Sequence, residues 1–383
     1  MIFRGVTGNV KLLKKLLKRK ADHPVRFFLV VLALAPCCVP PLPASDAHSS
    51  SPAPPAPLPF ALLTFREVHM GTRFTIRFWV DSGGGDDDRA HQAASAAFAE
   101  IARLEQVFSD YRPDSEITRL AQAPAGEPVP VGTDLYRLFE RAEHLHRRTE
   151  GAFDITAGPF IRAWRLSRKN HRVPTPEQLA NARARSGFSL IELDPVARTI
   201  RKRSANMIFD AGGIAKGIAA DAALEILREH GFPRALVAAS GDIALGDPPP
   251  GAPGWKVGLE SLDETGAREQ LRAIVLANAA VSTSGDTRQY VEIGGVRYSH
   301  IVDPETGLGL TERISVTVVA PDATTSDSHA TAVSILGERR GLQFVRNTRG
   351  VECRVVTLDD QGQERYAHTD GFPEYSPIEN EEE

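Results

Sequence analysis

Cysteine is scarce in this sequence, which has three cysteines among 383 residues. Cys37 and Cys38 lie close to the N-terminus, and Cys353 stands alone in a valine-rich stretch. This distribution excludes a disulfide framework and the spacings that are typical of zinc sites. A single cysteine among aliphatic residues is most often a small buried side chain. We therefore expect no cysteine chemistry in the function.

A large excess of charge of either sign is also missing. The formal net charge is −4, which gives no support for a nucleic-acid-binding surface or a general membrane-surface role. The charge is uneven, because the N-terminus is basic and residues 366–383 end in an acidic run. We expect this acidic tail to be disordered. No nucleic-acid partner is predicted.

The apolar run near the N-terminus is too short to span a bilayer. It covers residues 27–35, follows a basic segment at residues 11–20, and precedes the small-residue sequence L-P-A. This order of features predicts an export signal over residues 1–47. Lipid attachment at Cys37 is the alternative. The folded part is then periplasmic, either released or anchored at the inner membrane through the N-terminus.

The remaining chain divides into a tether and one folded body. Residues 48–59 are rich in serine, proline and alanine, which is typical of a tether. Residues 60–365 mix helices and strands in irregular order, and strands dominate after residue 235. This arrangement favours an α+β fold with mostly antiparallel sheets and flanking helices over a doubly wound parallel sheet.

Local patterns predict several elements of this body. Helices are expected at 90–108, 134–149 and 326–336, a strand leading into a helix at 152–164, a loop at 166–176, and hairpins at 191–201 and 290–300. Residues 68–80 are expected to form a strand pair or one bent strand. Gly337 is expected to end the third of these helices. Gly294 and Gly295 are suited to the turn of the last hairpin.

The common nucleotide-binding fingerprints are absent, since neither G-x-x-x-x-G-K-[ST] nor G-x-G-x-x-G occurs. Residues 206–221 instead read N-M-I-F-D-A-G-G-I-A-K-G-I-A-A-D. An apolar run predicts a short strand before Asp210, two glycines follow, and helical spacing continues to residue 230. Backbone N–H groups at a helix start, together with Lys216, form an anion site in outline. The alternative is a Gly-Gly turn that serves only packing.

A second chemical candidate is the pair Asp327 and Thr331, four residues apart on a predicted helix. Their oxygens would project side by side, and a carboxylate with a hydroxyl is suited to Mg²⁺. The alternative is that Asp327 only caps the helix. His300, at a predicted strand end, is a candidate general base, although a lone histidine is more often a packed or hydrogen-bonding residue.

Eight short motifs occur in one order along the body, and together they closely resemble the ApbE family of FAD:protein FMN transferases. They are M-G-T-R-F, Y-R-P-D-S-E-I, G-A-F-D-I-T-A-G-P, D-A-G-G-I-A-K-G, S-G-D-I, T-S-G-D, Y-S-H-I-V-D-P-E-T-G and S-D-S-H-A-T-A. The resemblance covers about residues 60–360. It implies a two-lobed α+β fold with T-fold-like halves.

The resemblance also implies an activity and a site. The enzyme would split FAD at the pyrophosphate, attach FMN to a threonine or serine hydroxyl of an acceptor protein, and release AMP. The implied FAD contacts are Met70, Tyr111, Ala152, Phe153, Asp154, Asp210, Lys216 and Ile301. The implied Mg²⁺ ligands are the carbonyl of Gly213 with the side chains of Asp327 and Thr331. Tyr111 and Phe153 are expected to offer aromatic faces for stacking adenine or isoalloxazine.

The sequence departs from the family pattern at three positions. Ser240 stands where glycine is usual, Ala211 where leucine is common, and His329 is unusual in its segment. Ser240 is expected to narrow the pocket. Two other functions stay open: an FAD pyrophosphatase that uses water as the nucleophile, and a non-enzymatic exported lipoprotein that binds flavin.

Overall fold

The computed structural model describes residues 59–83, 87–260, 262, 272–285 and 289–377. The predicted export signal, residues 48–58 of the predicted tether and the last six residues lie outside these ranges. Within them, no helix combines the length and apolarity that crossing a membrane requires.

Strands make up most of the described body. They are β1 (Phe60–His69), β2 (Thr72–Asp81), β3 (Pro128–Pro130), β4 (Ile191–Asp194), β5 (Thr199–Lys202), β6 (Ala235–Ala239), β7 (Asp242–Leu245), β8 (Trp255–Gly258), β9 (Arg272–Leu276), β10 (Ala279–Gly285), β11 (Tyr290–Ile293), β12 (Val296–Ser299), β13 (Ile314–Ala320), β14 (Glu352–Leu358), β15 (Glu364–His368) and β16 (Ser376–Pro377). Eight of them form one antiparallel sheet in the order β1-β2-β6-β7-β10-β13-β14-β15.

The helices are α1 (Asp87–Phe108), α2 (Glu116–Gln122), α3 (Thr133–Arg148), α4 (Gly158–Asn170), α5 (Pro176–Arg183), α6 (Ala215–Glu229) and α7 (Ala323–Arg346). The main core lies between the large sheet and the helices. Phe74, Ile76 and Phe78 alternate along β2 and are fully buried, which is the period of a strand with one face on a core. Ile101 and Leu104 of α1 are buried in the same core.

The helices that carry the site cross at a glycine. A Cβ atom on Gly217 of α6 would lie 2.1 Å from the carbonyl oxygen of Ala323 in α7, so only glycine allows this approach. The start of α6 is thereby held against the start of α7. Thr331 lies about two helical turns further along α7. This contact brings together residues that are about a hundred positions apart in the chain.

Several predictions from the sequence are confirmed. The fold is α+β with mostly antiparallel sheets. The predicted hairpins at 191–201 and 290–300 form as β4–β5 and β11–β12. Of the two alternatives for residues 68–80, the strand pair is the one that forms, as part of β1–β2. Gly337, with φ +74° and ψ 174°, interrupts α7 where the helix was expected to end.

Other predictions from the sequence are wrong. No strand precedes Asp210, because residues 207–211 form irregular chain. The backbone N–H of Asp210 donates to the carbonyl oxygen of Ile155 and not to a neighbouring strand. The segment predicted as a loop from residue 166 continues α4 to Asn170, since its basic residues lie in the last turn, where they complement the helix dipole. The boundary at 365 falls inside β15, and β16 pairs with β9, so residues 366–377 belong to the folded body.

Candidate functional site

All twelve side chains or backbone groups named from the sequence line one cleft of about 520 Å³. They are Met70, Tyr111, Ala152, Phe153, Asp154, Asp210, Gly213, Lys216, His300, Ile301, Asp327 and Thr331. The cleft draws them from the β1–β2 turn, the segment after α1, the segment before α4, the start of α6, the end of β12 and the second and third turns of α7.

Two carboxylates hold Lys216 at the centre of the cleft. Its Nζ atom makes a close contact with Oδ2 of Asp242 and lies 3.5 Å from Oδ1 of Asp327. Asp242 and Asp327 are 4% and 3% exposed, whereas the Lys216 side chain keeps 27% of its surface accessible. The lysine is therefore the most accessible member of this group.

The anion at the start of α6 is Asp327 itself. Its Oδ2 atom accepts a 3.0 Å hydrogen bond from the backbone N–H of Gly217. The amides of Gly212 and Ala215 donate to Oδ1 of Asp210 and to the carbonyl of Ala211. The amides of Gly212, Ala215 and Gly217 are therefore engaged within the protein and are not open to a bound phosphate.

The same geometry removes the capping alternative for Asp327. The cap of α7 is Asp322, whose Oδ1 accepts from the amide of Thr325 at 2.8 Å. Asp327 lies in the second turn of α7, where all backbone N–H groups have partners within the helix. Its orientation toward Lys216 and Gly217 is therefore a property of the cleft and not of its own helix start.

Gly213 and Thr331 lie in close contact with each other. A Cβ on Gly213 would lie 2.8 Å from Oγ1 of Thr331, so the backbone of Gly213 approaches this hydroxyl as closely as glycine allows. The described residues contain no cluster of three or more histidine, cysteine or acidic side chains suited to a metal. Mg²⁺ typically takes only one or two carboxylates and completes its shell with water and phosphate. Asp327, Thr331 and Gly213 fit that donor set.

The charges around Lys216 leave a local deficit of positive charge. Burial, reinforced by the neighbouring Asp242 carboxylate, raises the pKa of Asp327 to about 7. Burial opposes the charge of Lys216, but Asp242 and Asp327 together raise its pKa above the ordinary value. When both carboxylates are ionised, one lysine against two carboxylates favours a further cation.

A second group of residues forms the wall that carries Tyr111. Tyr111 is 75% exposed, and one face of its ring lies 4.5 Å from the guanidinium carbon of Arg165. Arg165 also pairs with Oδ2 of Asp110 at 2.6 Å and with Oδ2 of Asp210 at 2.7 Å. Burial, with a contribution from Asp110, raises the pKa of Asp210.

Phe153 does not provide the open aromatic face that was expected. It is 3% exposed and belongs to the main core, so its ring has no accessible face for stacking. Asp154 is also engaged, because its Oδ1 atom accepts from the amide and the hydroxyl of Thr156 at 2.7 and 2.6 Å. Of the two predicted aromatic residues, only Tyr111 offers a ring to a ligand.

His300 lies in the cleft just after β12. Its Nδ1 atom is 3.2 Å from the carbonyl oxygen of Gln289, and a carbonyl only accepts. Nδ1 therefore carries a proton in this contact. The preceding strand is fixed by Trp164, whose Nε1 donates to the carbonyl of Ser299 at 3.0 Å.

Sequence reasoning assigned no role to Asp242 or Arg165. Asp242 was part of a quoted motif, and that motif was the available signal. Arg165 lies in no quoted motif, and its partners are 55 and 45 residues away. Ser240 lines the cleft with φ +60°, a backbone conformation that favours glycine.

The chain is similar in sequence to curated proteins of known function. A curated FAD:protein FMN transferase of Vibrio cholerae is 32% identical over 313 residues, which is 80% of this chain and 88% of the relative. The protein of the same name from Haemophilus influenzae is 31% identical over 300 residues, or 76% of this chain and 85% of the relative.

Solved structures agree with the sequence relatives. The flavin transferase ApbE from Vibrio cholerae superimposes with a TM-score of 0.73 at 28% identity, covering 82% of this chain and 99% of that chain. The apo flavinyl transferase ApbE of Pseudomonas stutzeri gives 0.72 at 28% identity, covering 83% and 97%. The sequence pattern of the ApbE family matches residues 70–355. This chain therefore belongs to the ApbE family.

Proposed function

We propose that this protein is an Mg²⁺-dependent FAD:protein FMN transferase, which moves FMN from FAD to a threonine or serine hydroxyl of an acceptor protein and releases AMP. The observation that carries the proposal is the group formed by Lys216, Asp242 and Asp327 beside Gly213 and Thr331, in a cleft that also holds Tyr111. Family membership and the names of the relatives support it.

The charges of the cleft suit a pyrophosphate only with a cation. Lys216 is already paired with Asp242 and Asp327, so it cannot neutralise a dianion alone. Asp327, Thr331 and the carbonyl of Gly213 would hold Mg²⁺, which supplies Lewis-acid stabilisation of the charge that develops on the phosphate oxygens. Lys216 then contributes its charge at the same phosphates.

The proposed transfer replaces one phosphorus–oxygen bond with another. The acceptor hydroxyl attacks the FMN-side phosphorus, the P–O bond to AMP breaks, and the hydroxyl proton leaves to a base. His300 is the proposed base because its imidazole lines the same cleft. The rest of the catalysis is positioning of the hydroxyl in line with the departing AMP.

The test is incubation of residues 59–383 with FAD, Mg²⁺ and a candidate acceptor. The proposal expects in-gel flavin fluorescence on the acceptor together with AMP. AMP with free FMN and no labelled acceptor would identify a pyrophosphatase. FAD binding without either product would identify a flavin-binding protein that is not an enzyme.

We also propose that residues 1–47 direct export and that the enzyme works in the periplasm, released or anchored at the inner membrane through its N-terminus. The basic segment, short apolar run and L-P-A sequence support this. Fractionation of cells that produce the full chain should recover activity with the periplasm or the inner membrane. Activity in the cytoplasm alone would contradict it.

A further inference from the structure

Arg165 connects three separate segments that line the cleft. It extends from α4 and reaches Asp110, two residues after the end of α1, and Asp210, immediately before the glycine loop. Its guanidinium carbon also lies 4.5 Å from the centre of the Tyr111 ring. Asp210 also links Arg165 to the glycine loop, because its other oxygen accepts from the amide of Gly212 at 2.8 Å.

This set of contacts needs the shape of arginine. The guanidinium is a planar fork that donates to two carboxylates at once and stacks its face on an aromatic ring. A lysine would supply the same charge as a point at the end of a flexible chain. The side chains of Asp110 and Asp210 are only 15% and 10% exposed, so their positions depend on the cation between them.

Tyr111 is the most exposed member of this arrangement. Arg165 occupies one face of the ring, and the side chain as a whole is 75% exposed. A planar ring that stacks on the other face would be held at a fixed position relative to Gly212 and Gly213. A dinucleotide has such a ring on each side of its pyrophosphate.

We propose that Arg165 is a positioning residue for FAD, which fixes the Tyr111 ring relative to the glycine loop so that ring stacking and pyrophosphate binding occur in one register. This inference rests on the proposed use of FAD. It assigns to Arg165 a role in substrate affinity that is separate from the cation site at Asp327. The simpler alternative is that Arg165 only neutralises two neighbouring carboxylates.

The two roles separate in a series of variants. Arg165→Gln leaves Asp110 facing Asp210, so the melting temperature should fall. Adding Asp110→Asn removes that repulsion and should restore the melting temperature. Arg165→Lys keeps the charge without the fork. Arg162→Gln is the matched control, because Arg162 is an exposed arginine of the same helix that does not line the cleft.

Titration calorimetry with FAD decides between the roles. We expect the Kd for FAD to rise about tenfold in Arg165→Gln, in its Asp110→Asn combination and in Arg165→Lys, since a stacked cation–aromatic contact is lost. Arg162→Gln should bind FAD as the wild type does. The Mg²⁺ concentration that gives half-maximal AMP release should not change in any of them.

Three results would overturn the proposal: wild-type affinity in the combined variant once its melting temperature has recovered, wild-type affinity in Arg165→Lys, or an equal loss in Arg162→Gln. A wild-type protein that binds FAD but labels no acceptor would refute the transferase activity, while the same titrations would still decide the role of Arg165. A wild-type protein that does not bind FAD would refute both.

Discussion

Replacing Asp327 with asparagine separates the cation-site account from a purely structural one. The change keeps the size of the side chain and an oxygen that can accept from the amide of Gly217, now 3.0 Å away. It removes a negative charge that lies 3.5 Å from Lys216 and beside Asp242. The hydrogen bond to α6 should therefore be kept, and the negative charge that could bind a cation should be lost.

The expected magnitudes differ strongly between folding and turnover. Because burial raises the pKa of Asp327 to about 7, the carboxyl is already partly neutral at pH 7 without a cation. Asparagine should therefore change the free energy of unfolding by only about 1 kcal/mol. Loss of an anionic Mg²⁺ ligand removes several kcal/mol of transition-state stabilisation, which corresponds to a decrease of about 10²- to 10⁴-fold in AMP release.

The assay is AMP release from FAD as a function of Mg²⁺ concentration, with thermal unfolding of the same samples as the control. Thr331→Val should act in the same direction but more weakly, because a neutral hydroxyl contributes less than a carboxylate. An Asp327→Asn variant with full activity and an unchanged Mg²⁺ dependence would refute the cation site. A variant that fails to fold would show instead that Asp327 is needed by the structure.

Three further predictions concern Lys216, Gly213 and His329. Lys216→Ala should weaken FAD binding about tenfold or more, while activity still requires Mg²⁺. Added Mg²⁺ should raise the melting temperature of this variant more than that of the wild type, because Asp242 and Asp327 then lack their lysine. An Mg²⁺-independent variant would contradict this. Gly213→Ala should increase the Mg²⁺ requirement about tenfold, because its Cβ would lie 2.8 Å from Oγ1 of Thr331, and an unchanged Mg²⁺ titration would argue against this contact. Burial lowers the pKa of His329 from 6.5 to about 4, so the unfolded chain takes up the proton first as the pH falls, and the free energy of unfolding should drop by about 3 kcal/mol between about pH 6.5 and 4. Denaturant unfolding of His329→Gln across this range should show a correspondingly flatter pH dependence, and equal slopes would show that His329 does not titrate in this way.

The parts of the site that the sequence predicts are those carried by short motifs. Asp210, Gly213 and Lys216 lie within one stretch of seven residues, and Asp327 and Thr331 lie one helical turn apart. Local spacing is enough to place such residues together. It is also enough for the two predicted hairpins and for the interruption of α7 at Gly337.

The parts that the sequence does not predict depend on contacts between distant segments. Asp327 reaches the amide of Gly217 across 110 positions of the chain, and this contact decides that the helix start binds a carboxylate of the protein. Arg165 obtains its role from Asp110 and Asp210, which belong to other segments. Phe153 has the right residue type for stacking, but burial in the main core removes its accessible face.

The most direct test of the central claim is the ratio of covalent flavin to AMP in a single reaction of residues 59–383 with FAD, Mg²⁺ and an acceptor protein. Intact-mass measurement of the acceptor gives the FMN attached, and chromatography gives the AMP released. The account predicts one AMP for each FMN attached to a threonine or serine hydroxyl, and neither product after Mg²⁺ is chelated. AMP that accumulates with only free FMN, or transfer that persists without Mg²⁺, would contradict it.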